Sequence, residues 1–174
     1  YREYEKQRKG LRKVDFDDML VVCYELFASR PDILAQWQKK FRYILVDEFQ
    51  DINRVQYDVI RMLALPENNL FVVGDDDQAI YGFRGADPEI MFQFRKDYPE
   101  AEQIVLDVNY RSTANIVRNS LKVIGNNEKR FQKTVSPARG QGDFLHVQEL
   151  KDPNEEAQYC LLYTSDAADE ARSV

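Results

Sequence analysis

The chain has 174 residues, 44% of them hydrophobic and 31% charged, with a formal net charge of −6. That length supports one solid core or two small lobes. No apolar stretch approaches the roughly 20 residues of a bilayer-crossing helix, and the first residues lack a secretory apolar core; the acidic balance argues against wholesale electrostatic capture of nucleic acid and leaves room for a local basic groove.

The chain opens on Tyr1 rather than Met, which reads as a fragment or a processed chain. The stretch "YREYEKQRKGLRKV" is polar and basic without apolar periodicity, as expected of a connecting, solvated segment. In "DFDDMLVVCYELFASRPD", Phe16, Leu20, Val21, Tyr24 and Phe27 share one helical face, with acids in the first turn and Pro31 after the stop. "ILAQWQKKF" is a second short helix. "YILV" reads as a buried strand and "INRVQYDVIRMLA" as a helix with Val55, Val59, Ile60 and Leu63 inward. "NNLFVVG" repeats the pattern of a short apolar run, then Gly74, then a polar loop. Two apolar strands that each feed a loop and a helix predict a parallel sheet covered on both faces, in an α/β fold.

Asp87-Pro88 marks a helix start with Ile90, Met91 and Phe94 inward. "EQIVLDV" predicts a third strand, and "RSTANIVRNSLKVIGNN" a capped amphipathic helix ending near Gly125. "EKRFQKTVSPARGQGD" reads as an exposed basic loop, "FLHVQEL" as a strand and "DPNEEAQY" as a helix start. A boundary between two lobes is placed near Asp107–Asn109. The tail "CLLYTSDAADEARSV" breaks the pattern and resembles translated read-through of a sequencing adapter, so residues 160–174 are set apart from the fold. Cys23 and Cys160 lie far apart without metal-ligand spacing, which fits a reduced, cytoplasmic setting.

Three stretches carry chemistry. In "YILVDEFQDINRVQ", Asp47 and Glu48 follow a buried strand directly. The carboxyl end of a parallel strand is where open α/β sheets bind ligands. There, Asp47 can hold Mg²⁺ and Glu48 can take a proton from an attacking water. Capping of the next helix explains Asp51 but not two adjacent acids, and Gln50 is left to the loop. In "VGDDDQAIYGFRGA", Asp75, Asp76 and Asp77 precede Gln78, which can meet a phosphate oxygen or orient a water. Arg84 can neutralise charge on a transferred phosphoryl group. Tyr81 and Phe83 straddle Gly82; they either offer faces to bases or fold back into the core. In "NYRST", Tyr110 and Arg111 precede a helix N-terminus, a position favourable to anions, and Ser112 reads as a helix cap.

In this order and at these spacings, "VDEFQD", "VGDDDQAIYGFRGA" and "NYRSTANIV" resemble motifs II, III and IV of UvrD/Rep/PcrA-type superfamily 1 DNA helicases. The upstream "DFDDML" matches a segment before motif II in that family. The resemblance implies an incomplete RecA-like P-loop NTPase sheet flanked by helices. Residues 1–13 would end an inserted helical subdomain, 14–108 would form the later part of a first motor domain, and 109–159 the start of a second. It implies a part of an ATP-dependent 3′–5′ helicase acting in DNA repair or replication restart, with ATP and Mg²⁺ as cofactors and single-stranded DNA and its duplex junctions as partners. A recombination helicase–nuclease subunit or a non-catalytic DNA-binding module would carry the same motifs.

Residue by residue, the resemblance has Asp47 hold the metal and Glu48 activate water. Gln78 and Arg84 would contact the γ-phosphate, and Tyr81 and Phe83 would line the single-strand groove. Tyr110 would pack on adenine and Arg111 would reach the γ-phosphate. Phe83 stands where the family often has Trp, so its stacking face is smaller. No glycine here is followed by Lys-Ser or Lys-Thr, so the phosphate-cradling loop of the family is not among these residues, and the polypeptide alone is expected to be inactive.

Overall fold

The computed structural model describes residues 2–11 and 13–161. The chain divides into two units, Tyr1–Val105 with Asn127–Lys133, and Leu106–Asn126 with Thr134–Val174. The short segment 127–133 therefore belongs to the first unit, although the residues on both sides of it belong to the second.

The first unit begins with α1 (Arg2–Gly10), α2 (Phe16–Ser29) and α3 (Pro31–Lys40). The opening segment is thus solvated, as its composition predicts, but helical. Arg8 ties it to Asp18, and the Tyr4 hydroxyl donates to Asp15 at 2.7 Å. Asp15 caps α2 through a reciprocal pair of hydrogen bonds with Asp18, each 2.9 Å, which satisfies two backbone donors at the helix start. Phe27 is buried and Leu20 and Tyr24 are half-buried, whereas Phe16 and Val21 are exposed, so the packed stripe is narrower than the periodicity predicts.

Strand β1 (Ile44–Val46) pairs in parallel with β2 (Leu70–Val72), Ile44 opposite Leu70 and Val46 opposite Val72. Between them runs α4 (Arg54–Ala64), capped by Asn53 and Gln56 in a reciprocal box at 2.9 and 2.8 Å. Asn53, not Asp51, is the cap; Asp51 sits in the preceding turn, with Oδ1 buried and unpaired among the described residues. The core gathers Phe49, Ile52, Tyr57 and Ile90, with Val46, Ile60, Val72, Met91 and Phe94 against it. Tyr57 is fully buried where the apolar period alone favours its neighbours, because its hydroxyl donates to Asp97 at 2.8 Å. Phe49 meets Tyr57 and Phe94 edge to face, and burying such a ring stabilises the fold by roughly 1.5–3 kcal/mol. Helix α5 (Glu89–Asp97) closes the unit, its N-terminus held by Asp87 Oδ1 accepting from the Glu89 amide.

The sheet is not covered on both faces. Val46 and Val72 meet the core, whereas Leu45 and Phe71 on the opposite side are 73% and 57% exposed, with no described element over them. Nor do residues 102–107 form a strand. Ile104 and Leu106 lie in the open, because an extended run becomes a strand only where a neighbour accepts its hydrogen bonds.

The second unit holds β3 (Val108–Asn109), α6 (Ala114–Ile124) and β4 (Ser136–Pro137), with β3 and β4 parallel. Residues 153–161 form a further helix, α7, whose first amides are held by Asp152 Oδ1. Of the tail set apart in the sequence, 162–174 lie outside the described residues. The predicted strand at 144–150 is absent, and Phe144 and Val147 are exposed for the same want of a partner. Thr113, rather than Ser112, is the N-cap of α6, and its side chain makes no capping bond. The helix start is held instead by a loop: the amides of Ala114 and Asn115 donate to the carbonyls of Gly140 and Gln141. Gly142, at φ +69°, passes so close to Thr113 that a Cβ would lie 2.4 Å from its hydroxyl, so only glycine fits there.

Candidate functional site

Because β1 and β2 run parallel and in register, their carboxyl ends reach the same edge. Backbone bonds lock them: the Val73 amide donates to Val46 O at 2.8 Å and the Phe49 amide to Val73 O at 2.9 Å. The loop carrying Asp47 and Glu48 therefore lies beside the loop carrying Asp75 to Gln78. Glu48 adopts the left-handed conformation, φ 50° and ψ 43°. For a residue with a Cβ this costs on the order of 1–3 kcal/mol and persists only where the surroundings over-determine it. Here the buried Phe49 anchors one side, and the Asp51 amide donates to Glu48 O at 2.9 Å.

The over-determining side chain is Gln50, which is 2% exposed. Its Nε2 donates to Glu48 Oε2 at 2.7 Å, and its Oε1 accepts from the Asp75 amide at 3.0 Å. One buried amide thus bridges both strand ends, with a partner for its nitrogen and another for its oxygen. Gly74 makes room for it, since a Cβ there would lie 2.8 Å from Gln50 Oε1. The sequence reading left Gln50 to the loop; the available signal was an amide two residues past Glu48, beside a buried phenylalanine.

Asp75, Asp76 and Asp77 bring carboxylate oxygens within 4.8 Å of one another, a spacing that suits a cation. At about 4 Å and an effective dielectric near 20, each unpaired like-charge pair opposes itself by about 4 kcal/mol. The cation in place is Lys133. Its Nζ bonds Asp75 Oδ1, Asp76 Oδ1 at 2.7 Å and Asp77 Oδ2 at 2.9 Å. Arg130 forks onto Asp77 through Nε at 3.0 Å and Nη2 at 2.7 Å, and the Phe131 amide donates to Asp76 at 2.7 Å. The segment read as an exposed basic loop is in this part a clasp, with Arg130 and Lys133 half-buried. Asp75 Oδ2 in turn accepts from Gln78 Nε2 at 2.8 Å, which orients that side chain at the edge.

Burial pushes the Asp75 and Asp77 carboxyls up, but Lys133 and Gln78 at the first, and Arg130 and Lys133 at the second, outweigh it and hold both below the ordinary range. Burial likewise disfavours the Lys133 ammonium, and the three carboxylates outweigh it, holding Lys133 above the ordinary lysine range. The two aspartates are lowered on folding, so their contribution is complete above about pH 5 and is lost as pH falls through their folded values. Lys133 is raised, so its contribution is complete below about pH 10 and is lost as pH rises further. Urea midpoints are expected to be flat across that window and to fall on its acid side, with a shallower acid limb in Lys133→Met.

Asp47 is exposed, and its Oδ1 accepts from the Glu48 amide at 2.9 Å. Among the described residues Oδ2 has no hydrogen-bond partner. A single free carboxylate oxygen in the open fits Mg²⁺, which keeps most of its waters and takes one or two protein oxygens.

Further along, Tyr81 and Phe83 are 37% and 79% exposed, so they do not fold back into the core. Their centroids are 5.9 Å apart, and the Arg84 guanidinium lies 5.1 Å from one ring and 5.4 Å from the other. In the second unit Tyr110 and Arg111 are exposed on a turn made by Asn109, whose Oδ1 accepts from the amides of Arg111 and Ser112 at 3.0 and 2.8 Å. Arg139 donates to the Arg111 carbonyl at 2.7 Å, and the Arg111 guanidinium itself has no described hydrogen-bond or ion-pair partner.

A parallel pair whose two strands end in adjoining acidic loops, with helices beside it, defines an α/β protein with an acidic strand edge. The chain belongs to the UvrD/REP helicase family: the family's N-terminal domain matches residues 1–99 and the UvrD-like C-terminal domain matches 104–172. It is 50% identical over 166 residues to the putative ATP-dependent DNA helicase YjcD of Bacillus subtilis strain 168, covering 95% of this chain and 22% of that protein. It is 42% identical over 161 residues to the ATP-dependent DNA helicases PcrA of Leuconostoc citreum and Staphylococcus aureus strain Mu50, covering 92% of this chain and 22% of each. The chain thus spans about a fifth of the length of these curated relatives.

Proposed function

We propose that the chain is part of the motor of an ATP-dependent DNA helicase, with a RecA-like nucleotide edge, that translocates 3′ to 5′ on single-stranded DNA and opens duplex junctions in repair or replication restart. The observation that carries the reading is the Gln50 bridge, which fixes Glu48 and the Asp75–Gln78 loop on one strand edge. Asp47 would hold Mg²⁺, which when bound would supply charge neutralisation at the phosphates. Glu48, with Oε2 held by Gln50, uses Oε1 to take the proton of the water that attacks the γ-phosphorus, while the bond to the β-phosphate oxygen breaks and ADP keeps its electron pair. Gln78 orients that water or a γ-phosphate oxygen. Arg84 neutralises developing charge, and Tyr81 and Phe83 stack on bases. Tyr110 and Arg111 are the second unit's candidates for adenine and phosphate.

The deciding experiment is ATP binding and turnover by Glu48→Gln in the intact protein; a wild-type rate overturns the reading. The 174-residue polypeptide alone is expected to show no DNA-stimulated ATP hydrolysis in a phosphate-release assay, since it has no phosphate-cradling loop.

A further inference from the structure

Lys133 lies 58 residues from Asp75 in sequence and in a segment that no nucleotide or DNA role accounts for. It is nevertheless the hub of the acidic loop. Asp75 uses Oδ1 for Lys133 and the Asp77 amide, and Oδ2 for Gln78; its own amide donates to Gln50, which donates to Glu48. An unbroken series of hydrogen bonds thus runs from the Lys133 ammonium to both side chains assigned to the attacking water. Asp76 also binds Lys133, but its carboxylate stands outside that series, holding among the described residues only the Phe131 amide besides.

We propose that Lys133 is a positioning residue for ATP hydrolysis: by fixing the Asp75 carboxylate it sets the direction of Gln78 and, through Gln50, the placement of Glu48. The proposal rests on the roles given to Glu48 and Gln78 above. With a neutral side chain at 133, three carboxylates lose their shared counter-charge and the 75–78 turn opens. Gln78 then loses its acceptor and Gln50 loses the amide that orients its Oε1. Arg130 cannot substitute, because its fork is spent on Asp77.

The test compares Lys133→Met, Lys133→Arg, Asp76→Asn and Glu48→Gln in the intact protein, by steady-state ATPase and by amide hydrogen exchange. Lys133→Met is expected to lower kcat about tenfold or more with KM for ATP within about threefold. Exchange should rise in peptides spanning 75–84 and stay unchanged across 54–64. Lys133→Arg restores most of the kcat, and Asp76→Asn stays within about twofold of wild type. Wild-type kcat in Lys133→Met overturns the proposal, as does an equal loss of protection across 54–64, which marks general destabilisation. An Asp76→Asn loss as deep as that of Lys133→Met also overturns it, because a simple clasp would then suffice. If Glu48→Gln turns over normally, it is the underlying assignment that has failed; if Glu48→Gln is inactive while Lys133→Met is normal, only the positioning role has.

Discussion

Glu48→Gln in the intact protein is expected to bind ATP as wild type does and to lose about 10²–10⁴ in turnover, the usual contribution of a positioned general base. The substitution is close to isosteric. Gln at 48 can still accept the Gln50 amide through its carbonyl oxygen, so the bridge to Asp75 and the left-handed turn survive. What disappears is the second oxygen's ability to accept a proton. A parallel Gln50→Leu variant separates the two ideas: it keeps the carboxylate but removes its holder and leaves the Asp75 amide without an acceptor. Gln50→Leu should cost less in turnover than Glu48→Gln and more in stability, read by urea denaturation. Equal turnover in Glu48→Gln and wild type would remove the base assignment outright.

The parts of this arrangement that the sequence reveals are those governed by local rules. β1 and β2 are legible as short apolar runs closed by acids or glycine, and their parallel pairing follows from the helix between them. Helix starts at Asp87 and Asp152 are legible because a side-chain oxygen two or three residues ahead of an amide is a local geometry. Apart from the misplaced helix caps and the helical opening segment, the errors share one cause, dependence on distant groups. Residues 102–107 and 144–150 carry strand-like apolar patterns, but a strand exists only by virtue of its neighbour. Tyr57 is a core residue because Asp97, 40 positions away, accepts a hydrogen bond from its hydroxyl. Lys133 and Arg130 look like solvated charges until the fold brings Asp75 and Asp77 to them across 58 and 53 positions. Gln50 combines both cases: its partner Glu48 is local, and its partner Asp75 is not. The two adjacent acids were readable at the end of one strand, whereas the tie from Gln50 across to the Asp75 amide was not.

The two arginines should separate phosphate chemistry from strand grip. Arg111→Ala is expected to lower turnover by about 10³–10⁵, the range for an arginine that neutralises a transferring phosphoryl group, with no change in single-strand affinity. Its guanidinium has no described partner to lose, so a change in fold is not a competing explanation; only its backbone is tied into the Asn109 turn. Arg84→Ala should match it in turnover but differ in DNA binding, because the Arg84 guanidinium also lies over Tyr81 and Phe83. An exposed cation–π contact is worth about 0.5–1 kcal/mol, so its loss should weaken single-strand binding by about two- to fivefold. Removing the stacking ring itself, in Phe83→Ala, removes about 1–3 kcal/mol per base and should weaken binding by about 5–150-fold while ATP affinity holds. Fluorescence anisotropy of labelled oligonucleotides, measured beside steady-state ATPase, gives both quantities for each variant. Arg84→Ala with unaltered DNA affinity would leave its guanidinium a phosphate contact alone, and Arg111→Ala with wild-type turnover would remove the second unit's arginine from the chemistry.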